Sequence, residues 1–291
     1  MGDGYPIRVG GNSVKADLRA GDMLGSYRLE ERLGEGAMGC VFRARRAGGG
    51  EQVALKVVRA QFAADDRYRR RFLHESRAAA EVQHRHLVDV LDVGEVDGRQ
   101  YLAMRLVRGR VLEGRVRDGG PLSASEVVRI ATEVAGALDA LHAVGLMHRD
   151  VKSSNILLDD DNAGAAALTD FGLAKGTGYS TLTRPGQILG TVDYLAPERI
   201  RGEDATAATD IYGLGCVMFE CVAGRPPFGS KRMMEVAFAH LEEEPPDPCA
   251  GRSHLPAELG NAVNLALSKD PANRPPSARE YADLLRQAAA V

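Results

Sequence analysis

The sequence is poor in everything that builds a covalent or metal framework. Its four cysteines, Cys40, Cys216, Cys221 and Cys249, are spread over 291 residues. None forms a Cys-x-x-Cys pair, which points to reduced thiols and away from a disulfide scaffold or a zinc site. No apolar run approaches the ~20 residues of a membrane-crossing helix. The N-terminus lacks the apolar core of a secretory signal, so a cytoplasmic location is expected. An excess of one charge is missing too: 37 basic and 40 acidic side chains leave a formal net charge of -3. That balance argues against bulk binding to nucleic acid or to an anionic membrane surface. Internal repeats and low-complexity arrays are absent.

What is present is ordinary for a globular chain, with 44% hydrophobic and 26% charged residues. The length suffices for one large domain or two lobes. Residues 1–24 are polar and glycine-rich without a period and are expected to form a flexible tail. Beyond them, Gln52 to Val58, Leu87 to Val93 and Gln100 to Val107 read as strands, with a turn at Asp97-Gly98. Asp66 to Val82 reads as a charged helix. Ser123-Ala124-Ser125-Glu126 is a capping box that opens a long helix to about Val144, which Gly145 ends. Asp210 opens an apolar helix to about Val222, Ser230 to Leu241 reads as another, and Ser277-Ala278-Arg279-Glu280 is another capping box that starts the last one.

Two polar stretches interrupt apolar segments. The first is His148-Arg149-Asp150-Val151-Lys152-Ser153-Ser154-Asn155, and the second is Asp170-Phe171-Gly172. Between them Ile156-Leu157-Leu158 and Ala165 to Leu168 read as short buried strands. Asp150, Asn155 and Asp170 therefore sit on tight connections between apolar elements, where a rigid scaffold presents chemistry. Their types suit phosphoryl transfer. Asn155 and Asp170 are hard oxygen ligands for a divalent cation on phosphates. Asp150 can accept the proton of an attacking hydroxyl, and Lys152 can neutralise the transferring group. Upstream, glycines 34, 36 and 39 fit G-x-G-x-x-G-x-V. A second strand-like run follows them, so they cap a hairpin rather than open a helix, and the backbone can approach phosphates closely.

Together these stretches resemble the catalytic and magnesium loops of protein kinases. The similarity extends over roughly residues 27 to 289 and is strongest to the bacterial eukaryotic-like (Hanks-type) Ser/Thr kinases of actinobacteria. It implies an α+β bilobal fold. A small antiparallel sheet with one helix would occupy residues 25–107, and a mainly helical lobe residues 108–291. It also implies ATP with Mg2+ or Mn2+, held by Asn155 and Asp170. Leu33, Gly34, Glu35, Gly36, Ala37, Met38, Gly39, Val41, Ala54, Met104, Arg105, Val107 and Leu157 would surround the nucleotide. Lys56 would reach its α/β-phosphates and pair with Glu75. Met104 would stand as gatekeeper. Arg105 departs from the usual acidic residue, and Ser153 from the frequent proline.

Asp210 would hold the catalytic-loop backbone, and Arg274 would pair with Glu198 of Ala196-Pro197-Glu198. Residues 170–198 resemble an activation segment, with Thr177, Ser180, Thr181 and Thr183 as hydroxyls and Thr181 and Thr183 as the preferred phosphosites. Arg149 would pair with such a phosphate. Lys152 and Thr191 match Ser/Thr rather than tyrosine kinases. The implied activity is transfer of the ATP γ-phosphate to protein Ser/Thr hydroxyls, with autophosphorylation, and the implied partners are protein substrates and a second copy through the small lobe. The alternative is a nucleotide-binding pseudokinase scaffold, which would ordinarily lack Lys56, Asp150 or Asn155. Relatives of this type often continue into a membrane helix and a sensor, so the chain is either a cytoplasmic protein or the cytosolic domain of a membrane-anchored kinase. Cys40, beside the glycine loop, is either a thiol near the phosphates or a part-buried structural residue.

Overall fold

Period-two burial builds the first lobe. Tyr27, Leu29, Phe42, Ala44, Val53, Leu55 and Val57 are all buried and fall on one face of three consecutive strands. The computed structural model describes residues 18–36, 39–59, 62, 65–170, 192–229 and 231–290. Strands β1 (Met23–Leu24), β2 (Tyr27–Glu35), β3 (Gly39–Arg46), β4 (Gln52–Val58), β5 (Val90–Val96) and β6 (Arg99–Arg105) form an antiparallel sheet in the order β1-β2-β3-β4-β6-β5. The turn between β5 and β6 has φ of 51° at Asp97 and 72° at Gly98, the mirror-type geometry that suits strand twist. Two expectations need correction. The tail does not run to residue 24, because Leu24 is buried and β1 pairs with Tyr27 and Arg28. The strand read at Leu87 to Val93 lies at Val90–Val96, while Leu87 bridges to Leu168 instead.

Helix α1 (Asp66–Ala80) is capped by Asp65, whose carboxylate accepts from the amides of Arg67 and Tyr68. Tyr68, Phe72, Ser76 and Ala79 recur at helical spacing and are its buried face.

The second lobe forms around α5 (Ala207–Ala223). Thr209 through Val222 are buried without a break, so this helix is a core element on all sides. It follows β7 (Gly109–Val111), α2 (Leu112–Gly119), α3 (Ala124–His142), β8 (Ile156–Asp159), β9 (Ala165–Leu168) and the short α4 (Pro197–Ile200). Helices α6 (Met233–Glu242), α7 (Ala257–Leu265) and α8 (Ala278–Ala288) complete it. The capping box at Ser123 forms in full, whereas at Ser277 only the N-cap half forms, the Ser277 hydroxyl accepting from the Glu280 amide. β7, β8 and β9 make a three-stranded antiparallel sheet. The lobes are stitched where Val88 N–H donates to the Leu168 carbonyl and Leu168 N–H donates to the His86 carbonyl, at 2.9 and 2.8 Å. No helix among the described residues is long and apolar enough to cross a membrane.

A buried ion pair fastens α4 to the far end of the lobe. Arg274 donates to both oxygens of Glu198 at 2.8 Å, and the two side chains are 0% and 3% exposed. Thr209 adds a hydroxyl to Glu198, and Arg274 also lies over the Tyr212 ring. Breaking such a pair strands one charge in an apolar core. Either Glu198→Leu or Arg274→Leu should cost about 3–5 kcal/mol of unfolding free energy. The double variant should cost less than the sum in chemical denaturation.

The fold also stores acid sensitivity. His240 is buried against Tyr212 and Phe228, and burial pushes its pKa from 6.5 down to about 3. Buried His148 is shifted down for the same reason. Below the ordinary histidine pKa the unfolded chain takes up protons that the folded one refuses. Stability is therefore complete above about pH 6.5 and declines as pH falls toward about 3. Urea midpoints at neutral and mildly acidic pH should differ less in His240→Gln, which keeps an acceptor for the Tyr212 hydroxyl, than in the unmodified chain.

Candidate active site

The site is assembled from α5 outward. Asp210, 1% exposed, accepts the amides of His148 and Arg149, both at 2.7 Å, one on each oxygen. His142, in the last turn of α3, adds its Nε2 at 2.8 Å. These donors offset the desolvation of a buried carboxylate. They also hold Arg149 at φ 64°, a left-handed conformation that a non-glycine residue keeps only when its surroundings impose it. Helix and loop are in close contact, since a Cβ on Gly213 would stand 2.9 Å from both Cβ and the carbonyl oxygen of Val151.

His148 links this loop to the next one. The Asp150 amide donates to its Nδ1 at 3.3 Å, so Nε2 carries the proton and donates to the Thr169 carbonyl at 3.0 Å. Burial pushes its pKa down, in keeping with that neutral tautomer. The structure thus brings Asp150, Lys152, Asn155 and Asp170 into one region. Lys152 Nζ lies 3.0 Å from Asp150 Oδ2. Asn155 Nδ2 donates to the Asp150 carbonyl at 2.8 Å and to Oδ2 at 3.1 Å.

One expected contact is replaced. Lys56 pairs with Asp170 at 2.9 Å rather than with Glu75, and Glu75 pairs with Arg149 at 2.7 Å. The reason is local. Glu75 lies one turn beyond the buried Phe72 and faces the guanidinium of Arg149, whose backbone the Asp210 contacts hold in place, while Asp170, at φ 60°, turns toward β4. Arg149, expected to await a phosphate, already has a carboxylate partner.

On the nucleotide side, β-pairing places Val41 opposite Lys56 and Ala54 opposite Met104, all on one sheet face. Val107, from the hinge, and Leu157, on β8, pack against the same core cluster as Ala54 and Met104. Leu33, Gly34, Glu35, Gly36 and Gly39 form the expected hairpin, with Gly36 N–H bonded to the Gly39 carbonyl at 2.9 Å. A Cβ at Gly39 would stand 2.1 Å from the Val57 carbonyl oxygen, so only glycine fits there. Arg59 was not foreseen. It pairs with Glu35 at 2.6 Å and donates to the Gly36 carbonyl at 3.2 Å, bracing the hairpin from β4. Cys40 lies opposite Val57 and packs with the Phe42 cluster, on the face away from Val41. Of the two readings of Cys40, this placement fits the part-buried structural residue. Ala37, Met38, Phe171, Gly172, Thr177, Ser180, Thr181, Thr183 and Thr191 lie outside the described residues.

The unusual Arg105 has its own partners. It reaches Asp159 at 3.0 Å and Asp89 at 3.4 Å, on opposite lobes, with its side chain turned to the back of the hinge. Ser153, the other departure, lies 3.0 Å from the Tyr194 hydroxyl, which donates to Glu220 at 2.7 Å.

The donor set suits a hard divalent cation. With Asn155 Nδ2 committed to Asp150, its Oδ1 is the atom left to ligate. Asp170 uses Oδ1 on Lys56 and retains Oδ2. One carboxylate and one amide oxygen are what Mg2+ takes from a protein when phosphates and water complete its octahedron.

Comparison with known proteins covers both lobes. The protein kinase domain matches residues 27–283. The serine/threonine-protein kinase PknH of Mycobacterium bovis is 41% identical over 266 residues, covering 91% of this chain and 44% of PknH. The serine/threonine-protein kinase PknE of the same species is 38% identical over 259 residues, 89% of this chain and 45% of PknE. The chain thus spans less than half the length of these relatives. A crystal structure of the Mycobacterium tuberculosis PknI kinase domain superposes with a TM-score of 0.77 at 35% identity, covering 94% of this chain and all of that domain. A match that runs from the first long strand into the last helix, at this identity, makes the chain a member of the protein kinase domain family.

Proposed function

We propose that this chain is a Ser/Thr protein kinase, transferring the γ-phosphate of ATP to serine or threonine hydroxyls of protein substrates. The observation that carries the reading is the group formed by Asp150, Lys152 and Asn155 on a loop fixed from below by Asp210. The substrate hydroxyl oxygen attacks the γ-phosphorus while its bond to the bridging oxygen of ADP breaks. Asp150 orients the hydroxyl and takes its proton. Lys152, 3.0 Å from that carboxylate, balances charge on the transferring group. Lys56 and the backbone of the glycine hairpin position the phosphates, and the face made by Val41, Ala54, Met104, Val107 and Leu157 receives the base. Asn155 and Asp170 would hold Mg2+ or Mn2+, which supplies positive charge on the phosphate oxygens. Lys56, Asp150, Asn155 and Asp170 are all retained, so nothing favours a pseudokinase.

The ion pairs describe a resting arrangement. Lys56 and Asp170 neutralise each other where one must serve phosphate and the other metal. Glu75 is then free to stabilise Lys56 only by leaving Arg149. Phosphate on Thr181 or Thr183, placed by the chain itself, would offer Arg149 a dianion in exchange.

Labelled γ-phosphate from Mg-ATP should appear on the protein and on a generic basic protein. Asp150→Asn should lower that rate by at least ~10²-fold while ATP binding persists. Incorporation by the variant at the rate of the unmodified chain would sink the assignment of the base. Phosphosites mapped only outside residues 170–198 would count against activation-segment control. The resting pairs give a separate prediction. A double-mutant cycle on Glu75→Gln and Arg149→Gln should return a coupling of about 1 kcal/mol in nucleotide-free protein. Saturating Mg2+ with a non-hydrolysable ATP analogue should shrink it.

A further inference from the structure

Three polar side chains that phosphoryl transfer does not use are packed together beneath the substrate side of the cleft. Ser153 is fully buried, in the turn that follows Lys152. Its Oγ is 3.0 Å from Tyr194 Oη, and Tyr194 donates to Glu220 Oε2 at 2.7 Å. Tyr194 has one hydroxyl proton. Once that proton is given to the carboxylate, the tyrosine oxygen offers Ser153 only lone pairs, so Ser153 is the donor of the first link. A directed chain results, from Ser153 through Tyr194 to Glu220, and each link polarises the next. Burial of Glu220 raises its pKa, and the hydrogen bond from Tyr194 opposes that rise. The chain joins the loop that carries Asp150, the segment Val192–Tyr194 that leads into Ala196-Pro197-Glu198, and the buried face of α5. A proline at 153 has no hydroxyl and would leave the first link unmade.

We propose that Ser153 is a positioning residue for the protein substrate: through Tyr194 and Glu220, its hydroxyl fixes residues 192–196 against the catalytic loop and so sets where the acceptor hydroxyl lies relative to Asp150. This rests on the protein-kinase reading, in which the segment ending in Ala-Pro-Glu docks the substrate. The nucleotide side is built from other residues, Val41, Ala54, Lys56, Met104 and Leu157, which lie outside the hydrogen-bond chain Ser153–Tyr194–Glu220. Loss of the Ser153 hydroxyl therefore acts on one substrate and spares the other.

The test is steady-state kinetics on Ser153→Ala, Ser153→Pro, Tyr194→Phe and the double variant Ser153→Ala/Tyr194→Phe, varying a basic protein substrate and ATP in turn. Ser153→Ala and Ser153→Pro should each raise the KM for the protein substrate about three- to tenfold, the weight of one buried hydrogen bond. The KM for ATP should stay within about twofold. In the Tyr194→Phe background, Ser153→Ala should change the protein KM by less than about twofold, since the acceptor is already gone. An unchanged protein KM in Ser153→Ala, an equal rise for ATP, or a full additional loss in the Tyr194→Phe background would each overturn the proposal. Amide hydrogen exchange of residues 192–196 provides a readout without turnover. Exchange should quicken in Ser153→Ala and return toward the original rate in Ser153→Thr. If the unmodified chain transfers no phosphate, the kinase reading fails on its own, and quickened exchange still upholds the tie. Exchange that is identical in Ser153→Ala overturns the tie whether or not the chain is active.

Discussion

The constraint on which the site depends is a single buried carboxylate. Asp210 is removed from water in the first turn of a largely apolar, buried helix, and an uncompensated charge there would be prohibitive. It is compensated by two backbone amides from one loop and by His142. The loop cannot move away without leaving that charge bare, so the loop's geometry is as rigid as the core. The left-handed Arg149, the neutral His148 and the direction in which Asp150 leaves the backbone all follow from where Asp210 stands. The chemistry is performed by groups that line the cleft, but it is positioned by one in the interior.

Charge complementarity in the cleft is less exclusive. Two cations, Lys56 and Arg149, face two carboxylates, Glu75 and Asp170, and either pairing neutralises the set. The arrangement seen couples Lys56 to Asp170 and Arg149 to Glu75, with side chains about a sixth to a quarter exposed. Partly hydrated pairs of this kind differ little in energy. Phosphates and a divalent cation are strong enough to redistribute the partners, which makes the cleft responsive to its ligands while the loop beneath it stays fixed.

This contrast explains what could be read from the sequence. Elements with one dominant determinant were legible: the capping box at Ser123, the strands at Ile156 and Ala165, and the apolar helix after Asp210; the Glu198–Arg274 bridge came only through the family resemblance. The glycine hairpin was legible because position 39 tolerates no Cβ. Features settled by competition among near-equal partners were not. Spacing cannot say which of two carboxylates Lys56 meets, and it cannot show that Arg59 braces Gly36 or that Arg105 turns to Asp159 and Asp89 behind the hinge. Short elements were also missed or displaced. A two-residue strand such as Met23–Leu24 has no period to detect, and β5 begins three residues late because Leu87 serves the other lobe.

The Arg274–Glu198 bridge spans 76 residues of sequence. It therefore imposes an order in time as well as in space. A ribosome makes the catalytic loop first, then the segment that ends at Glu198, and only later the arginine that neutralises that glutamate in the core. Until Arg274 emerges, Glu198 lacks the cation that neutralises it in the core, and the substrate side of the cleft lacks one of its fasteners. The active centre is thus completed by the last part of the domain to be synthesised, and a partly made chain holds its catalytic residues without a working site.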